Sequence, residues 1–119
     1  MFQGLRTIIY QVADLPRAKA WYSDAFGIQP YFDEPFYVGF NVGGYELGLH
    51  PNTGSITVGN NTATYWGVPN IESAHQRLLD RGATPREPIT EVGEGIKVAT
   101  VADPFGNLIG IIENPHFKA

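Results

Sequence analysis

The chain has 119 residues, 43% of them apolar and 17% charged, with a formal net charge of −4 and no cysteine. That length supports one domain with its own hydrophobic core. The lack of cysteine excludes disulfides, thiolate metal sites and cysteine nucleophiles, and the acidic balance with scattered Lys and Arg argues against nucleic acid. No apolar run approaches the roughly 18 residues of a membrane span, and the start lacks a basic segment followed by an apolar one, so no membrane partner and a cytoplasmic location are expected.

In Thr7–Val12 the residues Ile8, Tyr10 and Val12 alternate with Thr7, Ile9 and Gln11, the period of a strand. Asp14 then stands as an N-cap, with Pro16 in the first turn and Gly27 just past the end. Between them Leu15, Ala18, Trp21, Tyr22, Ala25 and Phe26 fall on one stripe of a helix, so Trp21 and Tyr22 read as core. A short second strand is expected over Ile28–Phe32. Tyr37–Val42 and Tyr45–His50 form a hairpin across Gly43-Gly44, a two-residue loop suited to primed turns. Its register puts Val38, Phe40, Val42, Tyr45, Leu47 and Leu49 on one apolar face, for packing on the helix. Tyr37, Gly39, Asn41, Glu46, Gly48 and His50 share the other.

Residues 52–61 are rich in Gly, Asn, Ser and Thr and read as a connector, with a short strand at Ser55–Val58. From Ala63 the pattern repeats: Val68-Pro69-Asn70-Ile71 answers Val12-Ala13-Asp14-Leu15, 56 residues on (12 to 68). Asn70 caps a second helix whose buried stripe is Ile71, Ala74, His75, Leu78 and Leu79, and Gly82 closes it. Thr64, Trp66 and Val68 take the helix side of the preceding strand; Ala63, Tyr65 and Gly67 take the other. A weaker strand near Thr84–Glu87 precedes a last hairpin. Its turn, Asp103-Pro104-Phe105-Gly106-Asn107, joins Ile96–Ala102 to Leu108–Ile112. Ala102 then faces Leu108, Thr100 faces Gly110, Val98 faces Ile112 and Lys97 faces Glu113 as an exposed ion pair. Gly110, in mid-strand, marks a bulge or the close approach of a ligand or backbone. The chain is thus α+β, a single domain of two tandem βαβββ modules, residues 1–51 and 62–115, forming curled mixed sheets around a cavity.

Two such modules resemble the vicinal oxygen chelate superfamily, which includes glyoxalase I, extradiol dioxygenases, and fosfomycin- and bleomycin-resistance proteins. The likeness covers nearly the whole chain. It rests on Val12-Ala13-Asp14-Leu15 followed by Ala20-Trp21-Tyr22 and Phe26-Gly27, and on the Asp103–Asn107 turn followed by apolar residues. The resemblance implies half-cup modules that close a cavity within a chain or across a homodimer. In metal-dependent members it implies donors on the first and fourth strands of each module. Those four positions fall here on Thr7, Gly48, Ala63 and Gly110, none of which supplies imidazole or carboxylate.

Other candidates are fewer. His50 and Glu46 flank Gly48 on one face, so a displaced divalent-metal site using both, with Tyr65, is one alternative. The plainer reading leaves His50 at the cavity rim and Glu46 solvated or bonded to Asn41. His75 reads as a satisfied core or interface histidine, and no Ser-His-Asp set, phosphate loop or dinucleotide fingerprint is present. The inferred ligand wall comprises Thr7, Gln11, Tyr37, Asn41, Glu46, His50, Tyr65 and Thr100, with apolar neighbours. Tyr37 and Tyr65 offer flat faces for a planar ligand, Tyr65 being equally suited to a dimer contact.

Three functions follow from this reading. The preferred one is metal-free binding or sequestration of a small, partly planar molecule, an antibiotic or metabolite, without a cofactor. The second is a glyoxalase-like lyase or dioxygenase using a divalent metal at the displaced site near His50 and Glu46. The third is an interaction module with a filled inner face.

Overall fold

The computed structural model describes residues 1, 3–56, 58–59 and 63–116. The chain divides into two compact units, Met1–Thr57 and Val58–Ala119. The first contains β1 (Thr7–Val12), α1 (Leu15–Phe26), β2 (Phe32–Glu34), β3 (Tyr37–Val42) and β4 (Tyr45–Pro51). The second contains β5 (Tyr65–Gly67), α2 (Ile71–Asp80), β6 (Thr84–Gly93), β7 (Ile96–Ala102) and β8 (Leu108–Glu113). Each unit forms one open four-stranded mixed sheet, ordered β1-β4-β3-β2 and β5-β8-β7-β6, so the sequence repeat is also a repeat of topology. In each, the first strand runs parallel to the fourth and the other pairings are antiparallel.

Capping chemistry sets both helices. The Asp14 carboxylate accepts from the Arg17 N–H at 3.1 Å, and the Asn70 side chain accepts from the Ser73 N–H at 2.9 Å, each satisfying an otherwise unpaired donor of the first turn. Gly27 ends α1 at φ 69°, and Gly82 follows α2 at φ 94°, a conformation only glycine adopts without strain. α1 buries Leu15, Ala18, Tyr22 and Ala25 against β3 and β4, where Val38, Phe40, Leu47 and Leu49 are almost wholly covered. Tyr22 is the centre of this core, stacked on Tyr10 at 5.9 Å and edge-on to Trp21 at 4.8 Å. Truncating it to Ala would cost about 3–5 kcal/mol. In the second unit Ile71 and Leu78 of α2 bury against a sheet core of Ala99, Val101, Ile109 and Ile111.

Both hairpin registers agree with the sequence reading: Val42 pairs with Tyr45, and Ala102, Thr100 and Val98 pair with Leu108, Gly110 and Ile112. Gly43 and Gly44 sit at φ 60° and 95°, as a two-residue primed turn requires. Asp103 is buried and its carboxylate accepts from the N–H groups of Phe105 (2.9 Å) and Asn107 (2.7 Å), which closes the last turn.

Four expectations about elements need correction. The second strand lies at Phe32–Glu34 rather than Ile28–Phe32, because Pro30 has no N–H and the pairing begins with Tyr31 donating to the Gly39 carbonyl at 2.9 Å. Ser55, Ile56 and Val58 are in no strand, and Thr57 lies outside the described residues. The strand expected from Ala63 is regular only over Tyr65–Gly67, although Gly110 donates to the Thr64 carbonyl and Val68 to that of Ile112 just beyond it. The strand foreseen near Thr84–Glu87 runs on to Gly93, then turns through Glu94 and Gly95 at φ 55° and 77°. Register shifts at Pro85/Glu87, Glu87/Thr90 and Glu91/Gly93 erase its alternation, and its edge position tolerates Pro85 and Pro88. Among the described residues no helix is long and apolar enough to cross a membrane.

Candidate functional site

The side chains expected to form a ligand wall lie on the face of each sheet opposite its helix. In the first unit it is built around Glu46. β1 and β4 run parallel with Thr7 beside Glu46, and the Thr7 hydroxyl donates to Glu46 Oε1 at 2.9 Å. Tyr31 donates to Glu46 Oε2, and the Tyr37 hydroxyl lies near enough to the same carboxylate to influence it. Two hydroxyls thus donate to one carboxylate, with a third close by. Their donation, that of Tyr31 first, keeps Glu46 charged to a lower pH than an ordinary glutamate. Burial, and then the charge of Glu46, raise the Tyr37 phenol from its usual 10.0 to about 12; Tyr31 is raised chiefly by its hydrogen bond to Glu46. Asn41 is not bonded to Glu46, although it lies opposite in register. Its carbonyl oxygen accepts from the Gly44 N–H at 2.8 Å, within the hairpin turn.

The glycines of this face make room for the tyrosines. A Cβ on Gly48 would stand 2.6 Å from Tyr37 Cζ and closer still to its hydroxyl oxygen; one on Gly39 would stand 2.8 Å from Glu46 Oε2 and 3.0 Å from a Tyr31 ring carbon. Beside the cluster lies a cleft of about 280 Å³, bounded by Arg6, Thr7, Tyr31, Asn41, Tyr45 and Glu46. Gln11 and His50 bound neither this cleft nor the one described next. The Gln11 carbonyl oxygen accepts from Asn52 Nδ2 at 2.7 Å, and His50 is exposed opposite Gln11 near the end of β4.

The second unit's inner face is arranged differently. Tyr65, 41% exposed, lies against Gly110, where a Cβ would stand 2.6 Å from Tyr65 Cδ1 and closer still to the Thr64 carbonyl oxygen. Gly110 therefore marks the close approach of backbone and ring. Thr100 is 8% exposed, and its Oγ1 accepts from the Glu87 N–H at 3.1 Å. Thr100, Arg86, Glu87, Val58, Leu108 and Gly110 are among the walls of an open cleft of about 490 Å³, and Ala63 lies on its border. That volume is in the range of small-molecule sites, and it counts against a filled, purely structural inner face.

Two side-chain assignments from the sequence are revised. Lys97 and Glu113 stand opposite in register but do not pair: Glu113 Oε1 accepts from the Ile71 N–H at 2.9 Å, at the start of α2, and Lys97 bridges to Glu72 at 3.1 Å. His75 lies on the expected stripe but is not satisfied, since among the described residues its Nε2 is buried with no hydrogen-bond partner.

Tyr31 and Arg86 escaped the sequence reading. The one available signal for Tyr31 was Gly39, a strand glycine that makes room for a neighbouring ring. For Arg86 periodicity offered none, because it is the extra residue between Pro85, paired with Val101, and Glu87, paired with Thr100.

Two βαβββ units with caps 56 residues apart and glycine-floored inner faces define a glyoxalase-like fold. The chain belongs to the glyoxalase/bleomycin resistance protein/dioxygenase superfamily, whose family model matches residues 4–111. Solved structures agree on the fold. A glyoxalase-related enzyme from Fulvimarina pelagi superimposes with a TM-score of 0.78 at 22% identity, over 96% of this chain and 90% of that one. A lactoylglutathione lyase from Agrobacterium tumefaciens gives 0.77 at 19%, over 99% and 100%. The fosfomycin resistance protein FosX from Listeria monocytogenes gives 0.81 at 15%, over 98% and 97%. No curated protein matches the sequence significantly.

The residues present do not fit a divalent ion at the family's four donor positions. Gly48 and Gly110 have no donor and are covered by tyrosines, Ala63 has none, and the Thr7 hydroxyl is bonded to Glu46. At the displaced site both oxygens of Glu46 already accept hydrogen bonds. Among the described residues, no group of three or more His, Asp or Glu side chains is placed to share an ion.

Proposed function

We propose that the protein binds and sequesters a small, partly planar organic molecule, in the manner suggested by the bleomycin-resistance branch of its family name, without a metal at the family's donor positions. One observation carries this reading: a cleft of about 490 Å³ is open on the very face where the donor positions are Ala63 and Gly110. Its walls combine apolar Leu108 and Val58 with the polar Thr100, Arg86 and Glu87, the usual make-up of a pocket that orients a ligand by a few polar groups. Thr100 in the second unit's cleft, with Tyr65 on the same sheet face, is offered to ligand; in the first unit Thr7, Asn41 and Glu46 border a separate cleft beside Tyr37 and are largely engaged with one another or with the hairpin turn. Gln11 and His50, away from both clefts, belong to this set only as rim residues. A homodimer in the cytoplasm is part of the proposal, its ligand an antibiotic or metabolite.

The test begins with the metal content of untagged protein and titration with Ni²⁺, Zn²⁺, Mn²⁺ and Fe²⁺. A thermal-shift screen of planar and antibiotic-like compounds follows, run with and without chelator. The expected result is no stoichiometric metal and a melting-temperature rise that chelator leaves intact. A rise that appears only after metal is added would overturn the proposal, as would turnover lost together with metal in a His50→Ala variant.

A further inference from the structure

The two clefts differ in what their polar groups have left to offer. In the first unit the polar side chains near the cleft are largely engaged. Arg6 donates to Gln3 Oε1 at 3.2 Å, the Asn41 carbonyl oxygen is taken by the hairpin turn, and Glu46 accepts from its hydroxyl partners. Among the described walls of the second unit's cleft, Arg86, Thr64 and Thr100 have side-chain donors without a partner. Among the described residues the other lysines and arginines each have an interaction partner, whereas Arg86 has neither a hydrogen bond nor an ion pair. Thr100 accepts from the Glu87 N–H, which leaves its own O–H proton to give, and that hydroxyl belongs to a side chain buried in the cleft wall. A buried hydroxyl whose donor is unused favours an acceptor brought in by something else.

The backbone explains why Arg86 is available. β6 is the edge strand of its sheet, and its register shifts between Pro85 and Glu87, so Arg86 has no cross-strand partner residue on β7. Bulges of this kind re-aim a side chain, and here Arg86 is among the residues that line the cleft. Gly106 and Gly110 add no side-chain bulk to the walls, and Leu108 and Val58 supply apolar surface.

We infer that this cleft takes a small organic acid, its carboxylate held by the Arg86 guanidinium and the Thr100 hydroxyl, its apolar remainder against Leu108 and Val58. The inference rests on the binding function proposed above and names the class of ligand. A planar, two-pronged guanidinium matches a carboxylate in geometry as well as charge, and a hydroxyl donor beside it supplies a further hydrogen bond. A carboxylate is favoured over a phosphate ester because the described walls of the cleft hold one cation and also the Glu87 carboxylate, which repels a dianion more strongly than a monoanion.

The experiment uses the full-length ¹⁵N-labelled chain and four probes of one size class: benzoate, benzamide, benzylamine and phenyl phosphate. Benzoate is expected to bind best, shifting the amide signals of Arg86, Glu87, Thr100 and Leu108. Arg86→Gln should weaken it about tenfold, the loss of one charged hydrogen-bonding partner. Glu87→Gln should tighten it about threefold, the removal of one unit charge several ångströms away in a wet cleft. The same spectra report whether each variant is folded. Benzamide binding as tightly as benzoate, or an Arg86→Gln variant of unchanged affinity, would overturn the carboxylate assignment while leaving ligand binding in the cleft intact. Tighter binding of phenyl phosphate would likewise overturn it. If none of the four probes moves these amides, the assignment and the cleft as a ligand site both fail.

Discussion

The two inner faces share a replacement and diverge in its consequence. In each, the fourth strand carries glycine where a metal-dependent relative needs a donor, and a tyrosine covers the glycine: Tyr37 over Gly48, Tyr65 over Gly110. In the first unit the tyrosine lies near a carboxylate, and Thr7 and Tyr31 donate to Glu46. In the second the tyrosine packs beside a backbone carbonyl, and among the described residues the side chains of Arg86, Glu87 and Thr64 and the Thr100 proton are left without a partner at the cleft. The same fold element thus serves in one repeat to hold the sheet together and in the other to leave a place open. What decides between them is whether the hydrogen-bonding capacity of the face is used up internally.

The comparison breaks most sharply at the two glycines. At Gly110 an added methyl meets the Thr64 carbonyl oxygen, a backbone atom of the parallel β5–β8 pairing that cannot swing aside. At Gly48 it meets the end of the Tyr37 side chain, which can rotate. Gly110→Ala should therefore destabilise the fold by about 3 kcal/mol, near the upper end of overpacking costs, and Gly48→Ala by about half that. Chemical denaturation of the two variants checks the ratio. Equal losses would show that Tyr37 is as immovable as backbone.

Next in size is the carboxylate cluster. Glu46→Gln keeps the volume and removes the charge, leaving two hydroxyl donors around one neutral amide; a loss of about 1–2 kcal/mol is expected at neutral pH. The pH dependence follows from the two shifts. Glu46 titrates lower in the folded chain than in the unfolded one, so its stabilisation is complete above the usual carboxylate range and is lost as pH falls through its lowered value. Tyr37 titrates higher when folded, so its contribution is complete below pH 10.0 and is lost as pH rises toward about 12. Melting temperatures of the parent and of Tyr37→Phe across this alkaline range should converge as pH rises. Parallel curves would remove the Tyr37 argument.

These contrasts show which parts of the molecule a sequence discloses. Hairpin registers were legible because a two-residue Gly43-Gly44 loop and a five-residue Asp103–Asn107 turn fix pairing locally, and alternation then places every side chain on a face. The helix caps were legible for the same reason: Asp14 and Asn70 act within three residues of themselves. The Glu46 cluster was only half legible. Glu46, Thr7 and Tyr37 could be assigned to one face, but Tyr31 stands just before β2, whose start the sequence places too early because Pro30 has no N–H to pair. β6 was illegible beyond Glu87 because three register shifts destroy the period of two that identifies a strand. Arg86 sits at one of them, so the side chain that best defines the second unit's cleft was hidden by the irregularity that positions it.

The smallest effect sharpens the comparison by its size. Glu113 was expected to meet Lys97 across the β7–β8 ladder, but each has a better local partner. The unpaired N–H of Ile71 at the start of α2 offers Glu113 a directed hydrogen bond reinforced by the helix dipole, and Glu72 in that same first turn takes Lys97. Glu113→Ala should cost about 1 kcal/mol, the loss of a charged cap. Lys97→Met should change stability by no more than the error of a denaturation measurement, because the Lys97–Glu72 bridge lies in solvent. The double variant then equals Glu113→Ala alone. A Lys97→Met loss as large as that of Glu113→Ala, together with a non-additive double variant, would restore the cross-strand pair. Additivity places the energy where the geometry does, on a helix start anchored by the last strand of its own sheet.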